Sequence, residues 1–385
     1  MAGARKSAKH TYDESKIKTL SSLEHIRART GMYIGRLGTG AHYDDGIYVL
    51  IKEVLDNAID EFIMGYGNKV MMTLDDDTVS IRDYGRGIPL GKVIDCVSRI
   101  NTGAKYNDDV FQFSVGLNGV GTKAVNALSS SFTVTSYRDG ACFTASFEKG
   151  ILQQQKKAKA KEPNGTQVTF VPDGTIFKNY KFKAEFLEQR LRLYTFLNPG
   201  LKILFNGETY ASDNGLKDLL EEEVGEDAIY PIFHHREKMI EVAFTHTQRL
   251  SEDHYSFVNG QYTSDGGTHL SAFREGMLKA VNDFYKGKFD GDDVREGLIG
   301  SISIRLKDPV FESQTKNKLG NSEIRGELVN KVKEIILSLL HKEKKSAETL
   351  LKKIQETQRL RKELLDVRKA AKTRSAAITL RIPQL

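Results

Sequence analysis

The most regular pattern of apolar residues follows the Gly38–Gly46 loop and predicts a helix that runs to Gly65. Its apolar stripe consists of Leu50, Ile51, Val54, Leu55, Ala58, Ile59 and Phe62. Glu53, Asn57 and Asp60 repeat at i, i+4 and i+7 on the opposite face, flanked by Asp56 and Glu61. Amphipathic helices often expose such a face to solvent, so the pattern alone leaves its role open.

Alternating apolar and polar residues predict strands on both sides of several glycine-rich loops. The strand-like runs are Lys69–Leu74, Thr78–Arg82, Phe132–Tyr137, Ala141–Phe147, Thr166–Phe170 and Leu201–Phe205. We expect a lysine-rich loop at Lys156–Lys161 and helices at Thr122–Leu128 and Phe186–Leu197. This mixture predicts an α+β fold in which helices pack on one face of a mostly antiparallel sheet.

A change of composition at Glu221–Glu226, where five of six residues are acidic or Gly, marks a domain boundary near residue 225. The block that follows has strand-like runs at Glu241–Thr245, Tyr255–Asn259 and Gly300–Arg305, and a helical run at His269–Tyr285. The last helical stretch, from about Ser322 to Lys372, exceeds 25 residues. We therefore expect it to be broken or to project beyond a compact domain.

Length, apolar segments and cysteine content limit the classes of protein to which this chain can belong. A chain of 385 residues predicts two or three domains. No stretch of 18 apolar residues suggests a membrane span, and the basic start lacks the apolar segment of a secretory signal. Cys96 and Cys142 are too few for a disulfide framework or a zinc site, and a reducing cytoplasm is the expected compartment.

The net charge of +6 is concentrated near the end of the chain. Residues 341–374 contain 12 Lys and Arg against 5 Asp and Glu, which leaves a net charge of −1 on the remainder. This basic stretch is compatible with nucleic-acid contact and equally with a solvated helix face.

Three loops carry candidate chemistry. Asp83 ends a strand and precedes Gly85 and Gly87. In this pattern the carboxylate could accept a hydrogen bond from an amine of a flat ligand that the glycines allow to approach closely, or the segment could be an ordinary Asx turn. Glycines before the helix at Thr122 form a potential phosphate cradle that matches no Walker A loop, and Lys105 adds a cation. Phe311–Lys316 alone is a polar loop.

The order of these motifs resembles that of the GHKL ATPases, which include gyrase, Hsp90, histidine kinases and MutL. Further strings resemble the B subunits of bacterial type IIA topoisomerases, gyrase and topoisomerase IV. They are Gly31–Gly35, Glu53–Glu61, Asp83–Pro89, Gly266–His269 and Ser313–Lys316. The resemblance extends from Tyr12 to about Lys372.

The resemblance implies a domain order and a set of site residues. Residues 1–20 would be an arm, 21–225 a Bergerat-type GHKL ATP-binding sandwich, and 226–385 a transducer similar to ribosomal protein S5 domain 2 with a long C-terminal helix. Glu53 would be the general base, Asn57 the Mg²⁺ ligand and Asp83 the acceptor for the adenine amine. The further ATP-binding residues would be Tyr12, Arg86, Gly87, Ile88, Pro89, Lys105, Val115, Gly116, Leu117, Asn118, Gly119, Val120, Gly121, Thr166, Gln314 and Lys316, with Lys316 also catalytic.

The implied function is that of an ATP- and Mg²⁺-dependent, dimerising gate that couples hydrolysis to DNA strand passage, working with a topoisomerase A subunit in an A2B2 enzyme. Val49, Thr30, Val115 and Asn118 depart from the family pattern. The acidic Toprim motif is not found, so we expect no DNA cleavage by this chain alone. The alternatives are a MutL-like clamp, an Hsp90-like chaperone, or a nucleotide-gated DNA-binding module with little turnover.

Overall fold

The structure, a computed structural model, describes residue 17 and residues 19–103, 119–312 and 316–379. Its helices are α1 (Ser22–Ala28), α2 (Gly31–Ile34), α3 (Gly46–Ile63), α4 (Val93–Ser98), α5 (Gly121–Ala127), α6 (Ala184–Leu197), α7 (Leu216–Val224), α8 (Thr268–Tyr285), α9 (Gly291–Arg295), α10 (Arg325–Lys342) and α11 (Lys344–Thr379). Its strands are β1 (Lys69–Asp75), β2 (Thr78–Asp83), β3 (Ser129–Arg138), β4 (Ala141–Glu148), β5 (Ile151–Lys159), β6 (Gly165–Pro172), β7 (Lys202–Phe205), β8 (Glu208–Ala211), β9 (Phe233–Arg236), β10 (Ile240–His246), β11 (Asp253–Val258), β12 (Gln261–Tyr262) and β13 (Leu298–Ile304). Among the described helices, none is long and apolar enough to cross a bilayer.

The first eight strands form one sheet with the order β5-β4-β3-β6-β2-β1-β7-β8. Neighbouring strands are antiparallel except β1 and β7, which are parallel. The expectation of a mostly antiparallel sheet is therefore confirmed. Apolar side chains of α3 and α5 join those of the sheet in one core, which holds the helices against it.

Helix α3 follows the predicted pattern, but its polar face is not simply solvated. Leu50, Ile51 and Leu55 are fully buried in the core, as their helical spacing requires. Asp56 and Asp60 are also buried, with 1% and 0% of their surface exposed. Buried carboxylates need polar partners, so this face belongs to a structured polar environment.

The lysine-rich segment predicted as a loop is the second half of strand β5, and the prediction was wrong. Lys156 and Lys157 pair with Thr144 and Phe143 of β4. Lysine has a low intrinsic preference for strands, but pairing with a neighbouring strand outweighs that preference. Because β5 is the outer strand of the sheet, its side chains can remain in solvent.

The second sheet has the order β12-β11-β13-β10-β9 and packs against α8 and α10. The long helical stretch is broken, as predicted: α10 ends at Lys342, Glu343 leaves the helical conformation, and α11 begins at Lys344. Arg361 of α11 binds Asp293 of α9 through Nε at 2.6 Å and also binds Asp290. Beyond Arg361 the described side chains of α11 are all exposed.

A third apolar cluster joins helices α6 and α7 to the second sheet. Phe196 and Leu197, at the end of α6, pack with α7 and with Phe257 and Ile299 of the second sheet. The acidic run Glu221–Glu226 lies on the end of α7 and the short 3-10 turn after it. Helices α6 and α7 therefore form the apolar connection between the two halves.

Candidate functional site

A cavity of about 510 Å³ opens beside α3, and residues from widely separated parts of the sequence line it. The predicted site residues that it brings together are Glu53, Asn57, Asp83, Arg86, Gly87, Ile88, Pro89, Gly119, Val120, Gly121, Thr166 and Lys316. The other predicted residues lie outside the described part of the chain: Tyr12, Lys105, Val115, Gly116, Leu117, Asn118 and Gln314.

The carboxylate of Glu53 lies directly against the first residue of α5. A Cβ atom added to Gly121 would stand 1.7 Å from Oε2 of Glu53, so only glycine leaves room for the carboxylate. The acid is thus held between α3, which carries it, and the start of α5. This position gives a carboxylate of defined location on the wall of the cavity.

Asn57 lies one turn after Glu53, and its amide nitrogen is engaged by the protein. Nδ2 donates to the carbonyl oxygen of Glu53 at 2.6 Å and to the hydroxyl of Thr122 at 2.9 Å. These bonds fix the plane of the amide and make its oxygen the atom suited to a hard cation. The donor chemistry therefore fits Mg²⁺ at this position.

Asp83 is a buried carboxylate at the end of β2, with 8% of its surface exposed. Its Oδ1 accepts hydrogen bonds from the backbone N–H groups of Gly85 (2.9 Å) and Thr166 (3.2 Å). Burial raises the pKa of Asp83 to about 6, although both hydrogen bonds favour the charged form. A carboxyl with this pKa is mostly ionised at neutral pH and can accept a bond from a ligand amine.

The loop after Asp83 is positioned by close backbone contacts. Gly87 has φ +73°, and a Cβ atom there would stand 2.4 Å from the carbonyl oxygen of Tyr137, so glycine is required. Ser136 donates to the carbonyl oxygen of Ile88 at 2.6 Å. These contacts place the loop against β3, where Ile88 and Pro89 line the cavity.

Arg86 also lines the cavity, but its guanidinium is bound by the protein. Nε donates to Oε2 of Glu61 at 3.0 Å, and a second nitrogen donates to Oε1 at 2.9 Å. The guanidinium carbon lies 4.4 Å from the ring centre of Tyr66. This bidentate pair links the loop to α3.

Lys316 reaches the cavity from the other half of the molecule, on the segment between β13 and α10. Its backbone has φ +59°, a left-handed conformation that is unusual for lysine. Lys316 also lines a smaller cavity of about 130 Å³, which it shares with Glu53 and with Tyr262 of β12. Lys316 is thus a side chain of the second half that lies beside the wall that carries Glu53.

Sequence reasoning missed a buried polar network behind α3. Asp56 accepts from Nζ of Lys52 at 2.6 Å and from the hydroxyl of Tyr194 on α6. Burial opposes the charge of Asp56, but Lys52, and Lys316 more weakly, hold its pKa below the usual range. The sequence could have indicated the pair with Lys52, because a lysine four residues before an aspartate lies on the same face of a helix. It could not have indicated Tyr194, which is 138 residues from Asp56 along the chain.

Comparison with known families separates the two halves of the chain. Residues 42–175 match the family described as histidine kinase-, DNA gyrase B- and HSP90-like ATPase. Residues 215–370 match the family described as DNA gyrase B. The two matches follow each other in the order that the sequence motifs predict.

Curated relatives agree with these matches. The chain is 56% identical to the B subunit of DNA topoisomerase 4 from Borreliella burgdorferi over 375 residues, covering 97% of the chain and 63% of the relative. It is 35% identical to the B subunit of DNA gyrase from Thermotoga maritima, covering 91% of the chain and 60% of that relative. The chain therefore spans about three fifths of the length of these two proteins.

A solved structure gives the same result for the fold. The 43K ATPase domain of Thermus thermophilus gyrase B, solved with an aminocoumarin, aligns with a TM-score of 0.74 and 29% identity, covering 91% of this chain and 98% of that one. The fold is thus a GHKL sandwich followed by a transducer domain. The chain belongs to the GHKL ATPases and corresponds to the ATPase region of the B subunits of type II topoisomerases.

Proposed function

We propose that this chain binds Mg²⁺ and ATP in the large cavity and hydrolyses ATP, and that two copies close as a gate when ATP binds. The observation that carries the proposal is the meeting of Glu53 and Lys316 in one cavity, although they belong to different halves of the molecule. A ligand that touches both side chains links the relative position of the halves to its own chemical state.

The roles follow from the donor and acceptor properties of each side chain. The carboxylate of Asp83 accepts the adenine amine, and Thr166 supports the same end of the cavity. Asn57 holds Mg²⁺, which neutralises phosphate charge when it is bound. Glu53 accepts a proton from the attacking water. Gly119, Val120 and Gly121 form the described part of the phosphate-binding loop, with backbone N–H groups as donors.

Lys316 supplies the cation for the terminal phosphate. Phosphoryl transfer depends mostly on positioning and on neutralising charge, and a lysine ammonium meets both needs. Loss of that phosphate removes the anionic partner that holds Lys316 in the nucleotide cavity. ATP then acts as a switch as well as a source of free energy.

In the complete enzyme we infer that this gate captures a DNA segment and works in the cytoplasm with a topoisomerase A subunit in an A2B2 assembly. We keep the division into an arm (1–20), an ATPase domain (21–225) and a transducer (226–385) as part of this proposal. Support comes from the names and lengths of the relatives, which are the B subunits of DNA topoisomerase 4 and of DNA gyrase.

The test is the initial ATPase rate in Mg²⁺ as a function of protein concentration. We expect the rate to rise more steeply than linearly, because the active form is a dimer. Glu53→Gln, which preserves the size of the side chain against Gly121, should lower kcat at least about 100-fold, since general base catalysis contributes that much. Nucleotide affinity, measured by calorimetry, should change less than about 2-fold, because Glu53 acts on water.

Glu208→Gln is the matched control, since Glu208 is exposed at the start of β8, far from the cavity in the sheet order. It should leave both measurements unchanged. A Glu53→Gln protein with turnover close to wild type would reject Glu53 as the base. Tight nucleotide binding with no turnover of the wild type would favour the nucleotide-gated binding module.

A further inference from the structure

Strand β5 combines an open sheet edge with an unusual concentration of positive charge. Residues 149–161 contain five lysines and no acidic residue, in a chain whose total net charge is +6. Every side chain of β5 except that of Ala158 is exposed. The segment is therefore a cationic ridge on the outer edge of the first sheet, which we call the β5 ridge (residues 149–161).

Four of the five charges of the β5 ridge are not compensated within the described part of the protein. Lys149 lies 4.0 Å from Asp173, whereas Lys156, Lys157, Lys159 and Lys161 make no ion pair with the described residues. Helix α11 is also basic, but acidic residues lie among its basic ones, as in the Arg359–Glu363 pair. Uncompensated lysines on a rigid strand carry a free-energy cost of repulsion that an anionic partner relieves.

The spacing of the lysines suits a polyanion with regularly placed charges. Lys157 and Lys159 point to the same face of the sheet, so their Cα atoms are about 7 Å apart at the usual strand rise. This distance is comparable with the separation of successive phosphates along a DNA strand. Lys156 points to the opposite face, and Gln153, Gln154 and Gln155 continue the ridge with uncharged donors. The outer edge of β5 adds backbone N–H groups, which commonly bind phosphates.

We propose that the β5 ridge binds the phosphate backbone of duplex DNA without sequence preference. The choice of DNA rests on the proposed function, which makes DNA the substrate of the complete enzyme. A second copy of the chain is a poor occupant, because pairing two such strands would bring ten lysines together.

The test is the salt dependence of binding to a fluorescein-labelled 20-base-pair duplex, measured by anisotropy without nucleotide. The variant replaces Lys156, Lys157, Lys159 and Lys161 with Gln. Each phosphate contact contributes about 0.9 to the slope of log Kd against log salt, so the slope should fall by about 3 to 4. The control replaces Lys178, Lys202, Lys238 and Lys288, four exposed lysines dispersed over the surface, and should change the slope by less than about 1.

A second variant is needed because the Gln variant has an uncharged sheet edge, which could pair with a second copy of the chain. Lys157→Glu with Lys159→Glu keeps β5 charged and should weaken DNA binding at least about 10-fold at 50 mM salt. Equal slopes for the wild type and the Gln variant would overturn the proposal. Self-association of the Gln variant, together with unchanged DNA affinity of the Glu variant, would also overturn it and would show that the lysines only prevent edge pairing.

The ATPase rate measured in parallel separates this proposal from the proposed function. An active ATPase with an unchanged salt slope rejects the β5 ridge and leaves the gate intact. A steep slope that the Gln variant lowers, in a protein without turnover, supports the ridge and rejects the gate.

Discussion

At the scale of a single residue, the proposed role of Asp83 predicts that nucleotide affinity depends on pH. Its pKa of about 6 means that half of the Asp83 carboxyls are protonated at that pH and that most of them are protonated at pH 5. A protonated carboxyl cannot offer the charged oxygen that the ligand amine needs, so the affinity for ADP should fall by about 5-fold between pH 6 and 5. Calorimetry at pH 7, 6 and 5 measures this change.

Asp83→Asn should weaken ADP binding by about 10- to 100-fold at pH 7, because a hydrogen bond to a charged group is lost. It should also remove most of the change in affinity between pH 7 and 5. Asp139→Asn, at the exposed turn between β3 and β4, is the control and should keep the wild-type pH profile. A wild-type affinity that stays constant from pH 7 to 5 would contradict the role of Asp83.

At the scale of elements, the contact between α3 and α5 predicts the effect of Gly121→Ala. The new methyl group would occupy the space of the Glu53 carboxylate, which must move away. Because a displacement of about 1 Å at a catalytic group costs about 100-fold, kcat should fall by that factor. Gly91→Ala is the control, since no heavy atom lies within 4 Å of its added Cβ, and it should retain full activity.

The network between α3 and α6 predicts a large loss of stability when its cation is removed. Lys52→Met leaves Asp56 buried without its main partner, so the free energy of unfolding should fall by about 3 kcal/mol or more. Tyr194→Phe should cost about 1 kcal/mol, the value of one hydrogen bond. Urea denaturation measures both. If Lys52→Met were as stable as the wild type, the buried charge of Asp56 would not depend on Lys52. Lys92→Met is the control, because it removes an exposed ion pair with Asp95 and should leave the free energy of unfolding nearly unchanged.

At the scale of the whole molecule, Arg361 fastens α11 to the transducer through Asp293 and Asp290. Arg361→Ala should therefore increase hydrogen exchange of backbone amides near residue 361, because the helix loses the ion pairs that bind this turn to α9. Mass spectrometry of peptides from α11 measures this. Arg368→Ala, on the exposed part of the helix, should leave the exchange near residue 361 unchanged.

The elements that the sequence predicts are those whose signal is local. The periodicity of α3 and the alternation in β3, β4 and β6 arise from one buried face, which a short window detects. Strand β5 escapes such a window, because it is specified by pairing with β4 and buries almost nothing. The order of the motifs also predicted one site for Glu53, Asn57 and Asp83. It could not predict that Tyr194 of α6 binds Asp56, because the two residues are far apart in sequence and belong to no common motif.

The position of α11 beyond Arg361, where the described side chains are exposed, has a mechanical consequence. From Arg361 to Thr379 the helix extends for 18 residues, or about 27 Å at the usual rise. Such a segment is a lever arm, and a rotation of about 10° about its base moves its tip by about 5 Å. Lys316 belongs to the same domain as that base, so a small shift of the domain at the cavity that Lys316 lines would be magnified severalfold at the distal end of the helix.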